Sequence, residues 1–232
     1  MTIHISGQAA SADHALPDGV LPAKQRRGRD TRDRLLEAGH ALSAMRDIDT
    51  ITVAEVARLA GCSVGAFYQR FRDKDAFFGV LVAQYLAEVR AATLALFADC
   101  EDDRLIGLLV ARTVERFRRH AGLIRSATRR RMDDDALWEP IRASGHFVAD
   151  QMIGWLAGRR GRPLAAADEI RVRFAFQILF GTLNNAVINR PGPLVLEDEA
   201  FVHQLERAFR LALFSAGPAP TVEAALRRRM RS

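Results

Sequence analysis

The sequence has little cysteine and no long uninterrupted apolar run. Its 232 residues include two cysteines, Cys62 and Cys100, which make neither a disulfide framework nor a zinc site. No apolar run approaches the roughly 18 residues that a membrane-spanning helix needs. Residues 1–22 lack the basic start and apolar block of a secretory signal. We therefore expect a cytoplasmic protein without a membrane partner.

Motifs for catalysis and metal binding are also missing. The sequence contains no nucleophile elbow with Ser, Asp and His in order, no glycine-rich phosphate loop and no HExxH. Asp133–Asp135 are consecutive, so their carboxylates point in different directions on a helix and suit a cap or loop. The histidines have no metal-ligand spacing, and we expect His120, His146 and His203 at the surface or in local hydrogen bonds. We expect no enzyme, no cofactor and no metal site.

Composition and helical periodicity predict an all-α globular protein. Hydrophobic residues make up 49% and charged residues 27%, a globular balance, and the length suits one or two domains. No stretch alternates for long with the strand period, and no internal repeat is visible. We predict helices at about residues 31–45, 74–96, 103–120, 123–132, 135–156, 166–188 and 198–215, two short helices between 52 and 73, and a final short helix at 222–230.

Residues 52–78, TVAEVARLAGCSVGAFYQRFRDKDAFF, form the most specific pattern in the chain. Thr52 with Glu55 three residues later is a capping box, and Gly61 supplies the left-handed turn that ends the first short helix. Ser63 and Asp73 are placed to cap the next two helices. These features predict a helix-turn-helix, whose second helix enters the DNA major groove, although a plain helical hairpin gives similar caps.

In register, this segment resembles the DNA-binding domain of the TetR family of bacterial transcription regulators. The resemblance begins at an amphipathic first helix near Asp30 and ends at Phe78. The positions that carry it are Thr52, Val53, Val56, Ala57, Ala60, Gly61, Cys62, Ser63, Gly65, Ala66, Phe67, Tyr68, Phe71, Lys74 and Phe77.

The resemblance assigns roles to individual residues. It implies phosphate contacts for Thr52, Tyr68 and Lys74, and Lys74 also stands in a first helical turn, where a cation is unfavourable for the helix dipole. It implies that Gly65 allows close approach, since a side chain there collides with DNA or with the neighbouring helix. Base edges would face Val64, Gly65, Gln69 and Arg70. The alternatives are a half-buried Tyr68 ring, a solvated Lys74 and an idle Gln69.

Two departures from the family pattern concern the operator sequence. Ala66 stands where the family often has Thr, and Arg70 replaces a common His or Tyr. In addition, basic residues cluster before and within the first helix. Arg26, Arg27 and Arg29 of this cluster form a flexible arm that can reach the adjacent minor groove, or a solvated tail. The net charge of +6 allows such a polyanionic partner.

The resemblance divides the chain into a disordered basic arm (1–29), a helix-turn-helix DNA-binding domain (30–78) and a helical effector-binding and dimerisation domain (79–232). In the family, the last two long helices commonly pair with their two-fold mates. Here those helices carry two stripes at helical spacing, which ordinary intrachain packing would also explain. The stripes are Ile170, Phe174, Ile178, Gly181 and Asn185, and Phe201, Leu205, Ala208 and Ala212.

Family members often hold a small molecule inside the C-terminal body. The aromatic and polar residues that could line such a pocket, or simply form the core, are Phe117, Leu123, Trp138, Phe147, Met152, Trp155, Phe176, Phe180 and Asn184. A basic run in the same region could favour an anionic effector, although we expect it to be a solvated face paired with acids such as Glu115 and Asp133–Asp135. That run comprises Arg116, Arg118, Arg119, Arg125, Arg129, Arg130 and Arg131.

These observations lead to a sequence-specific, homodimeric DNA-binding regulator, expected to be a repressor that a small-molecule effector releases from its operator. The alternative from another class is a small-molecule-binding or scaffold protein whose helical head does not read sequence. A third hypothesis is non-specific nucleoid binding through the basic arm.

Overall fold

Apolar residues at helical spacing account for the architecture of the protein. The computed structural model describes residues 26–100, 104–130 and 138–215, and these ranges form nine α-helices and one 3-10 turn at Ile48–Thr50. The all-α prediction is confirmed. The helices are α1 (Arg26–Met45), α2 (Val53–Leu59), α3 (Val64–Tyr68), α4 (Lys74–Asp99), α5 (Arg104–Arg119), α6 (Ala121–Arg130), α7 (Glu139–Arg160), α8 (Ala166–Asn189) and α9 (Glu199–Phe214).

The first helix is longer than predicted. It begins at Arg26 rather than at residue 31, so the backbone of Arg26, Arg27 and Arg29 is helical and not part of a flexible arm. The rest of the predicted arm, the final helix at 222–230 and the acidic run at 133–135 lie outside the described residues.

Three phenylalanines form the centre of the N-terminal unit, here called the head and made of α1 to α3 with the first turn of α4. Phe67, Phe71 and Phe77 have at most 1% of their surface exposed. Their ring centroids lie 5.0 to 5.3 Å apart, a favourable range for tilted and edge-on aromatic pairs. Gly39 of α1 packs on this cluster, because a Cβ there would lie 2.5 Å from Phe77 Cζ.

The remaining helices, the rest of α4 with α5 to α9, form the body. Helix α4 packs against α7, α7 against α8, and α8 against α9, which also contacts α5. Its buried side chains belong to the same contiguous core as those of the head. Helix α6 is the shortest helix of the body, and it packs on α1 of the head.

Helix α4 is long and apolar. It is the one helix in residues 26–100, 104–130 and 138–215 with the length and mean hydropathy, 1.5 over 18 residues, of a membrane span. We expected no apolar run near this length, and α4 comes close to one, interrupted by Glu88 and Arg90. Within the fold, α4 contacts α1, α5 and α7.

Candidate nucleic-acid interface and body cavity

The caps predicted for the helix-turn-helix are all present. The Thr52 hydroxyl accepts a hydrogen bond from Glu55 N at 3.2 Å, and Ser63 Oγ accepts one from Ala66 N at 3.1 Å. Asp73 Oδ1 accepts a bond from Ala76 N at 2.7 Å. Gly61 has φ +63° between the two short helices, where a side chain would be strained. These four local devices fix the angle at which α3 leaves α2.

Helix α3 has two opposite faces. Phe67 faces inward with 0% of its surface exposed, whereas Val64 and Tyr68 are 42% and 51% exposed. Gly65 and Gln69 are exposed with them, and Arg70 is partly buried. The predicted base-reading residues therefore share one solvent-facing surface, here called the reading face and formed by Val64, Gly65, Tyr68, Gln69 and Arg70.

Gly65 has no packing reason to be glycine. A Cβ built there meets only Ser63 Oγ, at an ordinary distance of 3.7 Å, and its backbone is helical. The prediction that a side chain would collide with the neighbouring helix is therefore wrong. Glycine in a helix costs about 0.5–1 kcal/mol relative to alanine, and no close contact within the described residues requires it here.

Two predicted phosphate-binding residues already have partners within the head. The Thr52 N–H and hydroxyl both donate to Glu55 Oε2, at 2.8 and 2.9 Å, and Arg46 donates to Glu55 Oε1 at 2.7 Å. The bonds from the Thr52 N–H, Arg46 and the Thr52 hydroxyl lower the pKa of Glu55 to about 2. A phosphate at this helix start would have to displace the Thr52 hydroxyl from a fully ionised carboxylate.

Lys74 is held by an acceptor that the sequence did not reveal. Its Nζ donates to the carbonyl oxygen of Asp49 at 2.7 Å, which accounts for a cation in the first turn of α4. The Lys74 side chain remains partly exposed. The exposed Tyr68 of the reading face is close to it in sequence. The phosphate roles of Tyr68 and Lys74 stay predictions.

The body contains a cavity of about 660 Å³ between α4, α5, α6, α7 and α8. Its size lies within the range of small-molecule sites. Of the residues proposed from sequence, Phe117, Leu123, Trp138, Phe176, Phe180 and Asn184 line it.

Three residues proposed for the pocket lie elsewhere. Met152 is fully buried in the core, and neither Phe147 nor Trp155 lines the cavity. The Arg90 guanidinium covers the Phe147 ring at 4.3 Å, and Arg159 covers the Trp155 ring at 4.9 Å. Helical spacing could not separate these three residues of α7 from the lining residues, because spacing alone does not show which other helices a face meets.

The head matches a known protein family in sequence. Residues 35–81 match the model of bacterial regulatory proteins of the tetR family. This part of the chain is a TetR-family N-terminal domain. Proteins of this family are DNA-binding transcriptional regulators that act as dimers. A comparison with curated proteins gives no match.

Solved structures share the fold of this chain at low sequence identity. A Mesorhizobium loti protein assigned to the family has a TM-score of 0.62 and 16% identity, over 82% of this chain and 98% of its own. A Streptomyces coelicolor TetR-family regulator gives 0.61 and 16%, over 78% and 81%. The fatty acid degradation regulator FadR of Bacillus halodurans gives 0.59 and 16%, over 84% and 98%.

Arginines of α6 connect the body to the head. Asp47 accepts hydrogen bonds from Arg125 Nε and Arg129, each at 2.5 Å, and Arg130 donates to Asp49 and Asp75, each at 2.7 Å. Of the predicted partner acids, Glu115 bonds Arg118 at 3.3 Å, and Asp133–Asp135 lie outside the described residues. The pairs to the head join residues about 55 to 82 positions apart, so sequence spacing could not reveal them.

The contact between α6 and α1 is also close at the backbone. A Cβ at Gly122 would overlap the carbonyl oxygens of Ser43 and Arg46, and Ile48 N donates to the buried Ser126 Oγ at 3.0 Å. We call this contact, with the arginine–aspartate pairs, the junction. Sequence analysis missed it, although a glycine in a helix was a possible signal of close approach.

His120 also departs from its predicted surface position. It is 5% exposed, and its ring lies 5.0 Å from that of Tyr85 and 5.7 Å from that of His40. Its Nε2 is 3.4 Å from Glu88 Oε2. Burial lowers the pKa of His120. His146 and His203 are exposed as predicted.

Only some residues of the two stripes proposed for dimerisation are exposed. Phe201 and Leu205 are 8% and 4% exposed, so they belong to the intrachain core and cannot meet a second copy. Ile178 and Ala212 are partly buried. The exposed members are Ile170, Phe174, Gly181, Asn185 and Ala208, and the apolar Ile188, Leu211 and Phe214 are exposed on the same two helices.

Proposed function

We propose that this protein is a homodimeric, sequence-specific transcription regulator, and in particular a repressor that a small molecule releases from its operator. The observation that carries the DNA-reading part is Gly65. It interrupts a helix at an exposed position with open space around it, on the face that the family uses toward DNA. Glycine there permits the backbone of α3 to come close to base edges.

The reading face supplies the chemistry that DNA recognition needs. Gln69 can pair with adenine, Arg70 with guanine and Val64 with a thymine methyl group. Tyr68, half exposed beside them, can donate to a phosphate. Arg26, Arg27 and Arg29, at the start of α1 in sequence, are proposed to meet the DNA backbone or the adjacent minor groove.

A dimer would present two reading faces to one operator. The apolar side chains Ile188 of α8 and Leu211 and Phe214 of α9 are each 42–57% exposed, whereas the exposed Phe174 lines the cavity. A pair of copies that buries them through α8 and α9 would remove this apolar surface from water, which favours association. Two recognition helices one DNA turn apart then read a palindrome.

Helix α6 supports release by an effector, because it contacts both the cavity and the head. Leu123, Ile124 and Ala127 line the cavity, while Arg125 and Arg129 of the same helix bond Asp47 of the head. A molecule that fits the cavity only when α6 is displaced would pull on the junction and change the separation of the heads. It shifts the population off DNA by its differential affinity for the two states.

Replacement of Gly65 by alanine tests the reading role. The variant should fold with unchanged or slightly greater stability, by up to about 1 kcal/mol, because no atom of the chain obstructs the methyl group. Its affinity in gel shifts with DNA flanking its own gene should fall at least about tenfold. Gly154→Ala in α7, where a Cβ also meets nothing within 4 Å, is the matched control and should bind DNA normally.

The same gel shifts separate the regulator from the other two hypotheses. Binding to one fragment that survives competitor DNA supports the proposal. Uniform binding to all fragments that weakens steeply with salt would indicate nucleoid binding through charge. Absence of binding, or equal affinity of Gly65→Ala and wild type, would favour a scaffold protein.

A further inference from the structure

The charge of the cavity wall is one-sided. Four arginines line it, Arg112, Arg116, Arg142 and Arg173, and no aspartate or glutamate of the described ranges does so. The remainder of the wall is mainly apolar, from α4, α5, α6 and α8. A cavity of this composition favours a ligand with an apolar body and a negative group.

The four arginines are not equivalent. Arg142 pairs with Glu139, and Arg173 with Asp150 at 2.7 Å. Arg112 is exposed to solvent, whereas Arg116 is partly buried. Within residues 26–100, 104–130 and 138–215, Arg116 makes no hydrogen bond or ion pair, although its neighbours Arg118 and Arg119 in the same helix do.

The surroundings of Arg116 leave its charge incompletely balanced. Burial lowers the pKa of Arg116, and the charges of Arg119 and Arg112 act in the same direction. Glu88 opposes them, but its carboxylate is directed to Arg119 at 3.7 Å and His120 at 3.4 Å. Guanidinium groups withdrawn from water are stabilised by an anion that forms charge-assisted hydrogen bonds.

A second polar group lines the same cavity as Arg116. It is Tyr85 of α4, which is 9% exposed. Its hydroxyl has no hydrogen-bond partner in the described part of the chain. A ligand oxygen in the cavity would accept its hydrogen bond.

We propose that the cavity binds an apolar organic carboxylate, with the carboxylate on Arg116 and the Tyr85 hydroxyl and the apolar part against α4, α5 and α8. The ligand's charged end then lies in the last turn of α5, four residues before His120 and directly before α6. This inference rests on the proposed function only in treating the body as an effector-binding domain.

Calorimetry with matched acids and alcohols tests the ligand class on the free full-length protein. The probes are decanoate against decanol and 2-naphthoate against 2-naphthol, so that one elongated and one compact apolar shape are covered. Wild type should bind at least one acid about tenfold or more tightly than its alcohol, as expected for a charge-assisted hydrogen bond. Equal binding within both pairs, or no binding of either acid by folded protein, would overturn the proposal.

Variants of the two polar residues identify where the carboxylate binds. Arg116→Gln should remove the preference for the acid and leave alcohol binding unchanged, and Arg116→Lys should keep part of that preference. Arg119→Gln removes the same charge three residues away, outside the cavity wall, and should bind the acid like wild type. Tyr85→Phe should weaken acid binding severalfold. An acid preference that survives Arg116→Gln would contradict the assignment, as would its loss in Arg119→Gln.

Circular dichroism and melting curves of each variant establish that it is folded, and Arg116→Lys keeps the test valid if Arg116→Gln does not fold. Because no DNA is present, failure of this test leaves operator binding unaffected. Conversely, failure of the gel shifts would leave a measured carboxylate preference standing.

Discussion

The head and the body are packed differently: the head has a filled aromatic core, and the body contains a cavity. In the head, Phe67, Phe71 and Phe77 leave no space between them, and the surface next to them carries a glycine that packing does not require. In the body, five helices line a cavity of about 660 Å³, and Arg116 in its wall has no ion pair among the described residues. A filled core gives the head one fixed shape, whereas an unfilled cavity leaves the body able to respond to a ligand.

The junction links the cavity of the body to the rigid head. Helix α6 lies between the two regions and bonds to the head through side chains while its apolar face borders the cavity. A displacement of α6 can therefore move the head as a unit, because the phenylalanine core resists deformation. Substitutions in the head, at the junction and on the reading face should therefore have different effects.

Phe71→Ala should have the largest effect on stability. Removing a fully buried ring from a filled aromatic cluster costs about 3–5 kcal/mol, so urea unfolding should show a large loss and DNA binding should disappear with the fold. Tyr68→Ala, three residues away and half exposed, should cost less than about 1 kcal/mol while weakening DNA binding. Similar stability losses in the two variants would contradict the proposed filling of the head.

Gly122→Ala should disrupt the junction. The methyl group would overlap the backbone carbonyl oxygens of Ser43 in α1 and of Arg46 just after it. These oxygens cannot rotate away as a flexible side chain can, so we expect a loss of about 1–3 kcal/mol or more. Gly154→Ala adds the same methyl group to α7 in open space and should be neutral or stabilising. Melting temperatures compare the two, and a stable Gly122→Ala variant would mean that α1 and α6 are not in close contact.

Asp47→Asn should weaken the junction electrostatically. It leaves Arg125 and Arg129 without their carboxylate, and hydrogen bonds to charged groups contribute about 1.5–3 kcal/mol each to stability. We expect a loss of about 1–3 kcal/mol in thermal or urea unfolding. Asp150→Asn breaks an exposed pair with Arg173 and should cost about 0–1 kcal/mol.

The same pair predicts a pH dependence with a definite sign. Burial raises the pKa of Asp47, but the hydrogen bonds and charges of Arg125 and Arg129 outweigh it and lower that pKa below its ordinary value. Its stabilising contribution is therefore present above about pH 4 and is lost as the pH falls through the lowered pKa. The difference in unfolding free energy between wild type and Asp47→Asn should shrink below about pH 4, and a constant difference would contradict this.

Gln69→Ala should change specificity more than stability. If Gln69 pairs with a base, selected-site profiles should lose discrimination at one base pair, by about 1–3 kcal/mol. The variant should melt like wild type because the side chain is exposed. An unchanged profile would remove Gln69 from the reading residues.

Lys74→Ala should have the smallest and least selective effect. Loss of one phosphate contact should weaken binding to all sequences alike and reduce the salt slope by about one. Its bond to the Asp49 carbonyl is exposed, so stability should change by less than about 1 kcal/mol. An unchanged salt slope would assign Lys74 to that intrachain bond alone.

Sequence alone predicted what depends on neighbouring residues. The capping box at Thr52, the left-handed Gly61 and the inward Phe67 and Phe71 follow from spacings of three or four residues. Most helix limits were predicted within a few residues for the same reason. The start of α1 at Arg26 was missed, because helical propensity continues through the basic cluster.

Contacts between distant segments could not be predicted. Nothing near Arg125 in sequence indicates that its partner is Asp47, and nothing near Lys74 indicates the Asp49 carbonyl. Phe201 and Leu205 had the spacing of an interface, but α5 and α8 cover them. Phe147, Met152 and Trp155 have the same helical spacing as residues that line the cavity. Only the packing of the helices against one another separates the two sets.

The proposition that paired heads read one operator is tested most directly by footprinting the full-length dimer on a selected DNA fragment. We expect two protected half-sites related by two-fold symmetry and centred about one helical turn, roughly 10 base pairs, apart. Protection of both half-sites should be lost in Gly65→Ala. A single unpaired footprint, or continuous protection along the fragment that Gly65→Ala leaves unchanged, would contradict it.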